Sequence, residues 1–147
     1  MLRRKSIRIA VIAAVAMLAA PAAADVWVAA NGATLDVVVY GNAADSSDQY
    51  ANAALAIRQT DWHQLWQGDP DQKGWIAVAC VRRPDGEVHF TYATEHPTEE
   101  VALDLARRAG QKFIERNGGG SLLEGCGGAV NNQGQVIAER FKPKVAP

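Results

Sequence analysis

The stretch GGGSLLEGCGGAV, residues 118 to 130, holds six of the chain's thirteen glycines and one of its two cysteines. Such a loop could cradle a phosphate or present a nucleophile. Gly120 and Gly125 have phosphate-loop spacing, but Cys126-Gly127 stands where Lys-Ser/Thr is needed to hold phosphates and magnesium. The stretch also follows a helical pattern instead of opening one, so its amides join no helix dipole. Gly119-Gly120-Ser121 begins a nucleophile elbow, yet Leu123 replaces the second glycine of that motif. Neither motif is complete. The glycines read as the place where a helix stops and a sheet begins.

Metal chemistry meets similar gaps. Asp69-Pro70-Asp71-Gln72-Lys73-Gly74 opens like a calcium loop, with carboxylates first and third and glycine sixth. Lys73 fills the fifth position and Cys80 the twelfth, where a bidentate glutamate should close the cage. Asp61 and His63 supply two ligands, too few for a site. His89, between Glu87 and Thr91 on one face of an alternating run, reads as a surface strand residue. His96 follows Glu95 at a helix start and reads as part of a local turn. Catalysis requires nucleophile, base and stabiliser to converge, and no such set is legible. The expectation is no catalytic residue, no metal and no cofactor.

Cys80 and Cys126 are the two cysteines of the chain. If the protein is exported, an oxidising compartment favours their pairing. Cys80 falls in one strand and Cys126 in a strand after the helix, elements that should share a sheet. A disulfide within the chain is expected. Because register is not readable from sequence, a bond between chains, or free thiols with a nucleophilic Cys126, stay open.

Export is predicted from the first residues. Arg3, Arg4, Lys5 and Arg8 are followed by an unbroken apolar run, Ile9 to Ala20, and then by Pro21-Ala22-Ala23-Ala24. This pattern predicts a signal peptide over residues 1–24, cut after Ala24, and a periplasmic or secreted protein. The apolar run is short of the roughly 20 residues that a spanning helix needs. The residue directly after the cut is Asp25 and not a cysteine, so no membrane anchor is expected after cleavage. The leader takes four of the fifteen basic residues and none of the sixteen acids, leaving 123 residues with a net charge of −5. That balance argues against nucleic acid or anionic lipid as the main partner. Arg107, Arg108, Lys112 and Arg116 cluster, but they suit the solvated end of a helix.

The elements that must position these residues are clearest in the second half. Trp75 to Val81 is a continuous apolar run, as in a strand covered on both faces. Pro84-Asp85-Gly86 turns the chain into Glu87 to Tyr92, which alternates with Val88, Phe90 and Tyr92 on one face. Thr98 caps a helix with Glu99 and Glu100 in its first turn and a stripe of Ala102, Leu105, Ala106, Ala109 and Phe113. Gly110 marks close packing on the sheet, and Asn117-Gly118 ends the helix. Leu122 to Glu124 and Cys126 to Val130 suggest another strand, Asn131 to Gly134 a turn, and Gln135 to Glu139 a last strand. Residues 74 to 140 thus read as hairpin, helix, hairpin, and residues 141 to 147 as a loose tail.

The first half is less regular. Val26 to Val28 and Thr34 to Tyr40 read as strands around a tight Asn31-Gly32 turn. A helix is predicted from Gln49 to Thr60, and residues 61 to 74 read as a connection whose tryptophans dock on the core. The predicted class is α+β: residues 25–140 form one small domain of antiparallel sheet with one or two helices on one face.

Gly74-Trp75-Ile76-Ala77-Val78, the aromatic strand ending at Tyr92, Pro97-Thr98 before an alanine-rich helix, and Cys126-Gly127-Gly128-Ala129-Val130 occur in that order. In this they resemble the secreted bacterial family called domain of unknown function 4189. The resemblance covers residues 74 to 140, implies export, and brings no established activity. The helix here lacks the cysteine that the family commonly carries near its end.

These observations predict a small exported protein that acts as a non-catalytic binding or inhibitor-type module, with another exported protein as its partner. The alternative is a small envelope hydrolase or metal-dependent enzyme using His63, His89 or His96.

Overall fold

The computed structural model describes residues 25–42, 61–69 and 71–143. The expected signal peptide, the helix from Gln49 to Thr60 and the last residues of the tail lie outside these. The described elements are β1 (Val26–Asn31), β2 (Val37–Gly41), β3 (Trp62–Gly68), β4 (Gly74–Arg82), β5 (Val88–His96), α1 (Glu99–Arg116), β6 (Ser121–Leu122), β7 (Gly128–Asn132) and β8 (Ile137–Phe141). The class is α+β, as the sequence predicts. Two antiparallel sheets form, one in the order β3-β1-β2-β8 and one with β4 between β5 and the successive short strands β6 and β7.

Val26, Val28, Ala30, Val37 and Val39 from the first sheet meet Ile76, Val78, Cys80 and Phe90 from the second in one core. The alternate residues of β4, Ala77 and Ala79, turn the other way and pack with Ala93 against Ala102 and Ala106 of α1. β4 is therefore covered on both faces, which explains its unbroken apolar run. Alanines on the helix side let α1 approach closely. A Cβ on Gly110 would lie 2.8 Å from Leu122 Cδ2 and 3.0 Å from Val81 Cγ2, so this glycine sits against the sheet as expected.

The caps of α1 follow the sequence. Val101 N–H donates to Thr98 Oγ1 at 3.3 Å, and Asn117 N–H donates to Phe113 O at 3.0 Å. The buried stripe is Ala102, Ala106 and Gly110, with Leu105 left 36% exposed. Leu105 thus lies at the margin of the stripe, because the alanine surface of β4 takes up the helix along its smallest residues.

Three expectations are corrected. Residues 62 to 68 are a strand, β3, paired with β1. Val28 faces Trp66 and Ala29 faces Gln64, so Leu65 is an extra residue in a bulge. Leu65 and Trp66 both pack against the core, which breaks the alternation that marks a strand.

The β1–β2 turn does not use Gly32 in a left-handed conformation. Asn31 Oδ1 accepts from the amides of Ala33 and Thr34, each at 2.9 Å, and Leu35 takes the positive φ of 62°. An asparagine bonding the backbone ahead of it makes a wider turn than Asn-Gly alone would.

The last two strands do not form a hairpin. β7 pairs with β4, whereas β8 crosses to pair with β2 in the other sheet, and Phe141 faces Val37 instead of opening a loose tail. Asn132, fully buried, steers this crossing: its Oδ1 accepts from Asn42 Nδ2 at 2.7 Å and Gly134 N–H at 3.1 Å. Its Nδ2 donates to Gln72 O at 3.0 Å. The bend after β7 is thereby tied to the end of β2, whose open edge β8 then completes.

Candidate functional site

The glycine-rich stretch is a loop thrown off the edge of β4. Leu122 pairs with Val81 and Gly128 with Val78, so two residues of β4, Ala79 and Cys80, are faced by five, Leu123 to Gly127. The surplus bulges outward and is fastened at two points. Leu123 N–H donates to Cys80 O at 2.9 Å, and Cys80 and Cys126 form a disulfide with Cα atoms 5.8 Å apart. Cys80 is only 1% exposed, so the loop is anchored to the middle of the core. Gly127 has φ +84°, and a Cβ there would lie 2.0 Å from Val78 O. Only glycine fits where the chain returns to the sheet.

Beside this loop lies a cleft of about 480 Å³, within the usual size of small-molecule sites. Leu103 and Arg107 of α1 form one wall, and Arg140, Phe141 and Lys142 at the end of β8 form another. Leu122 and Leu123 add apolar surface. Among the described residues, three of the four charged ones lining the cleft are basic, Arg107, Arg140 and Lys142, and Glu124 is the acid. Arg107 Nη2 reaches Glu124 Oε2 at 3.1 Å, and both side chains are largely exposed.

Arg140 is held from behind. Its Nη2 donates to Asp36 Oδ2, which also accepts from Thr34 Oγ1 at 3.0 Å. Burial works to raise the Asp36 pKa, but the hydrogen bonds from Arg140 and Thr34 and the charges of Arg140 and Lys142 together hold it below the usual value. Asp36 stays ionised and holds the Arg140 guanidinium.

The three histidines do not converge. His89 is not a surface residue of β5: its ring stacks on Phe113 of α1, with centroids 3.8 Å apart and planes 8° from parallel. Burial, and then the charge of Arg83, lowers its pKa. His96 ends the same strand about 23 Å away, at 3.3 Å per residue. His63 lies exposed on β3 in the other sheet, facing Ala30. Among the described residues no three His, Cys, Asp or Glu side chains are grouped to hold a metal ion. Cys126, the other nucleophile considered, is bonded to Cys80.

The sequence brought Cys80, Cys126 and Arg107 to notice, though Arg107 only as part of a solvated helix face. It missed Arg140 and Lys142, because β8 was expected to end before them. Their one visible signal was Arg140-Phe141-Lys142, a short continuation of the alternation in β8.

Fold and site together define an α+β sandwich backed by a helix, with a cation-lined cleft beside a stapled glycine loop. Comparison with protein-family models, curated proteins and solved structures yields no match to the chain. Among the described residues no helix is long and apolar enough to cross a membrane.

Proposed function

We propose that the protein is an exported, non-catalytic binding module of the periplasm or the extracellular space, with another exported protein as its partner. The observation that carries this reading is the disulfide from the centre of β4 to the glycine loop. Such bonds persist in oxidising compartments and are rare where thiols are kept reduced. The leader-like residues 1–24, with a cut after Ala24, supply the route. His89 is stacked on Phe113 and lies about 23 Å along β5 from His96, which supports binding over catalysis, because acid–base chemistry needs its groups within hydrogen-bond reach. The acidic balance of the mature chain favours a protein partner over nucleic acid. The likeness to the secreted family noted above belongs to the same proposal.

Immobilised mature protein, residues 25–147, tests the reading on envelope extract. One exported protein should be retained in stoichiometric amount and released by excess untagged mature chain. Retention of none, together with turnover of an envelope polymer that disappears in His63→Ala, His89→Ala or His96→Ala, would establish the enzyme reading instead.

A further inference from the structure

We infer that the cleft beside the Cys126 loop binds the oxyanion of an amphipathic ligand, a carboxylate or phosphate carried on an apolar body. The inference rests on the reading of the protein as a binding module and names the chemistry that its cleft would recognise.

Charge is the first argument. A mature chain of net charge −5 places three of its eleven basic residues, Arg107, Arg140 and Lys142, around one cleft lined, among the described residues, by one acid, Glu124, with Asp36 paired to Arg140. Arginine presents a planar fork of donors that matches the two oxygens of a carboxylate or phosphate, and lysine adds a point charge. Asp36 already occupies Arg140, which leaves Lys142, and Arg107 once Glu124 is displaced, to meet the ligand.

The loop supplies the second argument. Gly125 and Gly127 have φ of +74° and +84°, whereas Glu124 and Cys126 do not take positive φ, so the sign alternates along the loop. Glycines at these positions let the backbone itself approach a ligand closely. The amides of Gly125 and Gly127 have no acceptor among the described residues. The disulfide holds this backbone in place, so donors need not be ordered when a ligand arrives.

The apolar lining supplies the third. Leu103, Leu122, Leu123 and Phe141 share the cleft with the cations, which suits an apolar body attached to the anionic group. A bare inorganic anion would leave that surface uncovered.

Glu124 sets the sign of the test. It now occupies Arg107, and an exposed pair of this kind contributes little. An incoming oxyanion displaces it. Removing Glu124 should therefore strengthen binding, while removing Arg107 weakens it.

The probes are octanoate, octyl phosphate, octylammonium and inorganic phosphate, titrated calorimetrically into the mature, oxidised protein. One of the octyl anions should bind saturably at one per chain, and the better of the two identifies the oxyanion. Octylammonium should not bind, and inorganic phosphate should bind far more weakly. Arg107→Gln should weaken the octyl anion by about tenfold, and Glu124→Gln should tighten it by about threefold, magnitudes typical of one charge-assisted contact. Both positions are exposed, and thermal unfolding of each variant verifies that the fold is kept. Equal binding of octylammonium, no binding of either octyl anion, or a shift of the same sign in both variants overturns the assignment. A protein partner still held while the octyl anions fail would leave the binding-module reading standing. Anion binding with no protein partner retained would reverse that outcome.

Discussion

The disulfide between Cys80 and Cys126 joins the centre of a doubly covered strand to a loop that the sheet cannot absorb, across 46 residues of sequence. It closes a circuit running through β5, α1 and β6, so the hairpin, the helix and the glycine loop are locked as one unit. Chain entropy for a closed loop of this length corresponds to about 4 kcal/mol at most. Cys126→Ser is expected to lower stability by about 2–4 kcal/mol in denaturant unfolding, with Cys80→Ser at least as harmful because its hydroxyl is buried. Retention of wild-type stability in Cys126→Ser would count against the staple.

Gly127 is expected to be the least replaceable residue of the loop. Gly127→Ala forces a Cβ to 2.0 Å from Val78 O at a φ that side chains rarely adopt, so backbone must move. A loss of about 2–4 kcal/mol is expected, from overpacking and left-handed strain together. Gly110→Ala meets the ends of side chains instead and gains about 1 kcal/mol of helix propensity, so its loss should be smaller. Chemical denaturation of the two variants side by side checks the order.

The His89–Phe113 stack makes stability depend on mildly acidic pH. Burial and Arg83 lower the His89 pKa in the folded protein, so folding favours the neutral ring. Its contribution is complete above the unfolded value of about 6.5 and is lost as pH falls through the folded value. His89→Phe keeps an aromatic ring on Phe113 and removes the titration. Unfolding midpoints measured from pH 7.5 down to about 5 should fall less steeply in His89→Phe than in the parent. Parallel profiles would refute the role of His89.

Asp36 acts in a lower pH range. Its carboxylate is 8% exposed against 53% for Arg140, so the ion pair is sheltered on one side only. With its folded pKa lowered, Asp36 contributes stability above its unfolded value of about 3.9, lost as pH falls through the folded value. Asp36→Asn is expected to cost about 1–2 kcal/mol at pH 7, the range of one charged hydrogen bond in a partly solvated setting. The difference from the parent should shrink towards pH 3, and double-mutant analysis with Arg140→Gln should show the two residues coupled.

Local patterns made the second half of the fold legible. The run from Trp75 to Val81, the Pro84-Asp85-Gly86 turn and the Thr98 cap each act over a few residues, and each stands where it was expected. β3 was not legible, since its bulge at Leu65 destroys the alternation by which strands are recognised. Nor was the crossing of β8, which depends on Asn132 meeting Asn42 across 90 residues. The candidate site shows the same division. Cys80 and Cys126 were visible as a pair of chemical types, but the cleft exists only because α1, the glycine loop and the end of β8 meet in space. Arg107 and Lys142 carry no common motif.

The intact mass of protein recovered from the cell envelope without reductant tests the central proposal, an exported and internally stapled module, most directly. The expected mass is that of residues 25–147 less two hydrogens, rising by those two on reduction without any change in oligomeric state. A mass that retains residues 1–24, one that shows both thiols free, or a dimer released by reductant would contradict it.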